Sequence, residues 1–273
     1  MFKKILFVAL FLSFSSYAQN KIKGSRNVTT EQNEIEAFTS IQLDGDFEVG
    51  LLKGSRSMVE VEADDNLHDV IDIKVSNNVL YINTDTKITS SKSKKINITF
   101  SDSLKMITID GKITFETLQE LNVGDFEFIG KGRSKSKINV SANSFYFNNS
   151  GNAKVEASIT SEEISLLLRE SSDLEGFLKT EVLNVEAMDN ASAKIKGETK
   201  TLALNASKSS KFNGEKLASK EAEVFTQDNS KNSINVSKKL KLSAKDKSEV
   251  DLYNTPEIDL VEFSDKAVLS KKS

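Results

Sequence analysis

The chain has no cysteine and no tryptophan, and only one histidine, one proline and 12 glycines in 273 residues. Without cysteine it can form no disulfide, no thiolate metal site and no acylated cysteine at a cleavage point. The single histidine, His68, argues against a zinc site or a nucleophile–histidine pair; between Leu67 and Asp69 it reads as a surface or capping residue. The glycines form neither a phosphate-binding loop nor a dinucleotide fingerprint. With so little proline and glycine, turns fall to Ser, Asn and Asp. The abundance of Val, Ile, Leu, Phe, Thr and Lys around them fits short strands better than helices.

Long apolar runs are also scarce. The stretch Ile5–Phe14 covers about ten residues, half of what a bilayer-spanning helix requires. Lys3 and Lys4 precede it and Ser16-Tyr17-Ala18 follows, the order of a secretory signal cut after Ala18. The expectation is an exported mature chain, in the periplasm, on the outer cell surface or outside the cell, with no membrane-spanning segment. Its charge is close to balanced, with 37 basic and 40 acidic residues overall, and 35 against 40 once Lys3 and Lys4 are removed. A nucleic-acid surface would need clustered positive charge, and here the signs alternate, as in Lys241, Lys245, Asp246, Lys247, Glu249 and Asp251.

What the chain does have is a repeat. Apolar pairs separated by one residue recur about every nineteen positions. Their first members are Ile107, Phe126, Phe145, Ile164, Leu183, Leu202, Ala222, Leu240 and Ile258, the last three gaps being twenty, eighteen and eighteen. Their second members, from Ile109 and Phe128 to Leu242 and Leu260, are all apolar, and the residues between are mostly polar. Spacing by two is strand periodicity, whereas helical repeats would place apolar residues three and four apart. In Leu183–Lys200 one strand (Leu183, Val185, Ala187) meets an Asp189-Asn190-Ala191-Ser192 turn. A second strand (Ala193, Ile195) follows, and Gly197 begins the return. A fixed period in this range means stacked units, and two strands with two corners make one turn of a parallel β-helix. Corner residues Asn152, Ser171, Asn190, Ser209 and Asn229 would stack as a ladder about 4.8 Å per rung. Nine coils then give a rod about 45 Å long. Its open last coil would be a strand edge, shielded by Pro256 and by Asp265, Lys266, Lys271 and Lys272.

Residues 19–105 show the same strand chemistry on a looser period, with a helical turn expected at Asp64–Ile71 and a polar loop at Lys87–Lys95. They are expected to join residues 106–273 as irregular first coils or as a cap, in one continuous domain. Three stretches stand out here: Phe38-Thr-Ser-Ile-Gln-Leu-Asp-Gly-Asp-Phe-Glu-Val, Val59-Glu-Val-Glu-Ala-Asp-Asp-Asn-Leu and Val75-Ser-Asn-Asn-Val-Leu-Tyr-Ile82. Their succession resembles the GIN-type domain of exported bacterial proteins described as auto-transporter adhesin heads, over roughly residues 27 to 270. The resemblance implies an all-β, right-handed parallel β-helix at the bacterial envelope or surface. It supplies no catalytic residues.

Candidate chemistry therefore rests on carboxylates. Glu170, Asp189, Asp228 and Asp246 fall in one column, interrupted by Lys208, with Asp173 nearby. Two carboxylates one coil apart stand near the separation used by retaining glycosidases. However, Lys208 and the neighbouring Lys211, Lys231 and Lys247 read as charge compensation along a turn, and no aromatic sugar platform is evident because the phenylalanines sit largely in core columns. Asp44-Gly45-Asp46 and Asp64-Asp65-Asn66 offer oxygen ligands for calcium without completing a binding loop. Asp102-Ser103-Leu104 matches a short O-glycan acceptor pattern. The expectation is a non-catalytic binding protein that presents a rigid β-helix face to a glycan or surface protein, with no cofactor, metal or catalytic residue. A polysaccharide lyase or glycoside hydrolase on the same scaffold, or a periplasmic structural protein, are the alternatives.

Overall fold

The computed structural model describes residues 20–273; the expected signal, residues 1–18, lies outside them. The repeat region is a solenoid of stacked parallel coils, about nine in all. Each coil carries one strand leg up to a sharp corner and a second leg away from it. In the middle of the rod the second leg runs on through a gentler bend into the next coil's first leg. This produces strands of 14 to 16 residues, such as Lys135–Asn149, Lys154–Leu168 and Lys211–Thr226. Register partners follow the nineteen-residue spacing: Phe126 lies beside Phe145, Phe145 beside Ile164, and Leu183 beside both Ile164 and Leu202.

At its start the spacing differs from the sequence reading. Ile107 pairs with Phe128, twenty-one residues on, and not with Phe126. Because strand side chains alternate with period two, a two-residue slip keeps every inward residue inward, so the apolar pattern alone could not reveal it. The later irregularity does match the sequence, with Leu202 beside Ala222 and Ala222 beside Leu240.

The inward columns form one apolar core. Phe128 stacks on Phe147 and Phe126 packs tilted on Phe145, both at 5.9 Å between ring centres, and Phe115 packs on Phe128 at 6.1 Å. From residue 164 to residue 242, Ile, Leu, Val and Ala take over the same columns and are buried. Each Leu or Phe removed from water stabilises by about 1.5–3 kcal/mol. At the sharp corner the inward positions shrink to Ser134, Ala153, Ser172, Ala191, Ser210, Ser230 and Ser248, all buried.

The N-terminal part continues the ladder and then closes it. Ser40–Gly45 lies parallel between Met106–Gly111 and Val79–Asn83, and Glu48–Lys53 between Thr114–Thr117 and Lys94–Phe100. Beyond them the pairing turns antiparallel, Val28–Glu34 on Met58–Asp64 and Met58–Asp64 on Lys94–Phe100. The expected helical turn is present as a 3-10 turn, Asp65–Val70. Asp72–Ser76 and Val79–Asn83 form a hairpin through Asn77 and Asn78, both with positive φ (51° and 60°). This is the two-residue primed turn that Asn favours.

Asp64 ties this end together. Fully buried, it accepts the backbone N–H groups of Arg26 (2.9 Å), Lys92 (2.9 Å) and Ser93 (3.1 Å). Burial alone pushes its carboxyl up, but the three amides and the Arg26 charge outweigh that and hold it below its ordinary range. A carboxylate whose folded pKa lies below its unfolded value of about 3.9 adds stability that is complete above that pH. That contribution is lost as pH falls through the folded pKa. The melting temperature of the protein is therefore expected to be flat above about pH 4.5 and to decline below it. Asp64→Ala should lower the plateau and flatten the decline, as read by circular dichroism melts across pH 2–7; an unchanged acid limb would remove Asp64 from this role.

At the other end, Ile258 and Leu260 continue inward columns but are 43% and 52% exposed, because no described residue stacks on them. Pro256 and Lys266 flank their strand, Glu257–Phe263, and Lys272 pairs with Asp251 at 3.2 Å.

Candidate ligand-binding face

The acidic column lies at the sharp corner, and its role there is conformational. Gly111, Gly132, Gly151, Glu170, Asp189, Lys208, Asp228, Asp246 and Asp265 occupy equivalent corner positions, all with φ between 58° and 80°. Only glycine and short polar residues visit this left-handed region readily, which accounts for glycine in the first coils and aspartate in most of the rest. Four of the five carboxylates then serve the coil before them. Glu170 accepts the N–H of Gly151 (2.5 Å), Asp189 that of Glu170 (3.1 Å), Asp228 that of Lys208 (2.9 Å) and Asp246 that of Asp228 (3.1 Å). Lys208 also donates its ammonium to Asp189 at 2.5 Å. With that ammonium first and the Glu170 amide second, the Asp189 carboxyl is held below its ordinary range. A general acid requires the opposite shift. Asp173 stands apart in an outward column between Lys154 and Ser192, and Lys231 pairs with Glu249 at 2.9 Å.

Of the other candidates, Asp46 pairs with Lys94 at 2.8 Å. The Asp44 carboxyl is pushed above its ordinary range, by desolvation first and then by the Asp110 and Asp85 charges. Asp65 accepts from Ser25 and Asn27, and Asn66 accepts the Ser25 N–H and donates to the Lys23 carbonyl. Among the described residues no three His, Asp or Glu side chains are arranged to hold a metal ion. His68, read from the sequence as a surface or capping residue, lies in the last turn of Asp65–Val70; its side chain is 8% exposed, with Nε2 3.0 Å from the Thr29 hydroxyl and Nδ1 3.6 Å from Glu31. Ser103 is exposed in the connection before Met106–Gly111, and Leu104 is buried.

The gentler bend builds a groove of about 630 Å³ that runs along the rod. Its floor is a column of small hydroxyl residues, Ser161, Thr180, Thr199 and Ser219. The Thr180 hydroxyl lies 2.9 and 3.0 Å from the carbonyls of Glu162 and Val182; Ser161 and Thr199 repeat the pattern. These bonds hold the bend while leaving it narrow. The Ser219 hydroxyl is buried without a partner, at the point where the twenty-residue coil shifts register. The rim carries Lys179, Glu198, Glu181, Lys200 and Lys220, of which Lys179 and Glu198 pair at 3.3 Å and Lys200 with Glu181.

Beside the groove, on the same run of outward residues, lies a second depression of about 600 Å³. It is lined by Lys137, Asn139, Glu156, Ser158, Glu175, Phe177 and Lys196. Asp173–Lys179 turns Leu174, Gly176 and Leu178 inward, which leaves Phe177 outward. An exposed aromatic on this face was missed in the sequence because Phe177 and Leu178 are adjacent and either could face the core.

Solved structures with this architecture include proteins from Parabacteroides species. A crystal structure described as a "putative adhesin" from Parabacteroides merdae aligns with TM-score 0.66 at 15% identity, covering 93% of this chain and 100% of that one. A second, described as a "putative lipid binding protein" from Parabacteroides distasonis, gives 0.65 at 16% identity, covering 92% and 97%. Another "putative adhesin" from P. distasonis gives 0.62 at 19%, covering 92% and 100%. At these identities the likeness concerns the fold. A comparison with curated proteins finds no match. The profile of one family matches residues 37–158 and again 144–256. The chain thus belongs to the family described as "putative auto-transporter adhesin, head GIN domain".

Proposed function

We propose that this is an exported, non-catalytic binding protein that holds an extended glycan or protein ligand against its grooved face. The observation that carries the reading is the groove itself. It spans several coils, so it repeats hydroxyl and charged groups at strand spacing along the rod, as a polymer would be met. Its membership of an adhesin-like family supports the same reading. So does the corner chemistry, since the acidic column that could have served hydrolysis is committed to backbone amides one coil away.

The test is a glycan array and a surface-protein array probed with the mature chain, residues 19–273, with and without calcium. A selective ligand is expected, with binding weakened by charge reversal at the rim, Lys179→Glu with Lys200→Glu, and unchanged by Lys241→Ala on another face. Blank arrays of both kinds, or binding indifferent to the rim variant, would overturn the reading.

A further inference from the structure

Among the described residues nine of twelve phenylalanines are buried in the core, yet Phe177 stands outward and 55% exposed. In its column the neighbours are polar: Asn139, Ser158 and, on the next coil, Lys196. A single exposed apolar side chain needs no explanation, but this one lines a depression with an unusual charge arrangement. Glu156 and Glu175 are register partners on adjacent strands, where like charges oppose each other unfavourably. Lys194 neutralises Glu175 at 2.9 Å, with Lys196 at 3.7 Å. Glu156 makes no ion pair among the described residues, so its carboxylate oxygens remain free to accept.

The backbone here offers nothing to a ligand. Lys154–Leu168 and Asp173–Lys179 are each hydrogen-bonded to strands on both sides, so an added β-strand has no edge to join. Recognition must come from side chains alone, which favours a ligand dense in hydroxyl groups over a peptide. The electron-rich face of an aromatic ring suits the polarised C–H face of a pyranose. Lys137 and Lys196 balance Glu156 and Glu175 in charge, which suits an uncharged sugar.

We propose that this depression is a saccharide subsite that takes a neutral hexopyranose residue of a glycan. Phe177 packs against the C–H face, and Glu156, Asn139 and Ser158 bond its hydroxyls. This rests on the reading of the grooved face as a ligand surface and selects the glycan.

The chain has no tryptophan, so Phe177→Trp introduces a single tryptophan at the subsite, excitable selectively over the tyrosines at their red edge. Titration with neutral gluco-, galacto- and manno-oligosaccharides should change its emission saturably. Phe177→Ala in the otherwise native chain should weaken binding about tenfold or more, with an unchanged thermal melt. Glycan binding that is equal in the wild type and Phe177→Ala would overturn the subsite and leave the broader reading intact. Binding restricted to uronate oligosaccharides, or to a protein with no glycan bound, would also overturn it. If neither glycan nor protein binds, both readings fall together.

Discussion

Replacing Phe147 with alanine is expected to remove about 3–5 kcal/mol of stability, a large share of what a folded domain possesses. Phe147 is fully buried, its ring nearly parallel to that of Phe128 (7°) at 5.9 Å and 6.3 Å from that of Phe145. The void left by truncation lies inside a stack, where coils held by main-chain ladders on both sides cannot collapse around it. Each coil touches only its neighbours, so a weakened interface should also divide the rod into units that melt apart. Urea unfolding followed by circular dichroism should change from one transition to two. A single transition shifted by less than about 1 kcal/mol would mean that the stack relaxes after all.

Gly197→Ala is expected to be at least as damaging, through the backbone. Gly197 has φ of +120°, and a Cβ there would lie 1.9 Å from the carbonyl oxygen of Leu178 on the preceding coil. That oxygen belongs to the ladder and cannot yield without breaking the register between Asp173–Lys179 and Ser192–Ala206. The cost should reach about 4 kcal/mol or more, the range reserved for strained backbone and overpacked cores. Gly124 provides the control, since a Cβ there meets nothing within 4 Å. Gly124→Ala should melt within about 1 kcal/mol of the wild type. Soluble yield and melting temperature, measured for both variants, distinguish a local steric clash from a general intolerance of glycine replacement.

These effects show which parts of the structure a reader of the sequence could reach. The alternation at Leu183, Val185 and Ala187, repeated at nineteen, identified the coils because each buried column is chemically uniform. The slip that pairs Ile107 with Phe128 left no trace, since it conserves face and changes only neighbour. The antiparallel closure over residues 28–100 was equally hidden, although Asn77-Asn78 was a readable hairpin signal. At the corner, one set of residues admitted two readings. A column of Glu170, Asp189, Asp228 and Asp246 reads as catalysis or as turn chemistry until the dihedral angles and the amides it accepts are known. The hydroxyl column Ser161, Thr180, Thr199 and Ser219 repeats with the same period. Serine and threonine are so common in turns, however, that the period alone could not distinguish a groove floor from an ordinary bend.

The coil of twenty residues followed by one of eighteen behaves like a dislocation in a lattice that heals within one repeat. Two slips of opposite sign cancel, so Leu240 stands where two regular coils beyond Leu202 would place it. Rows of surface groups on either side of the fault are therefore commensurate, and only the rung between them is out of step. A stiff ligand lying along the rod would find matching lattice points at both ends of the groove and a single vacancy of registry near Ser219.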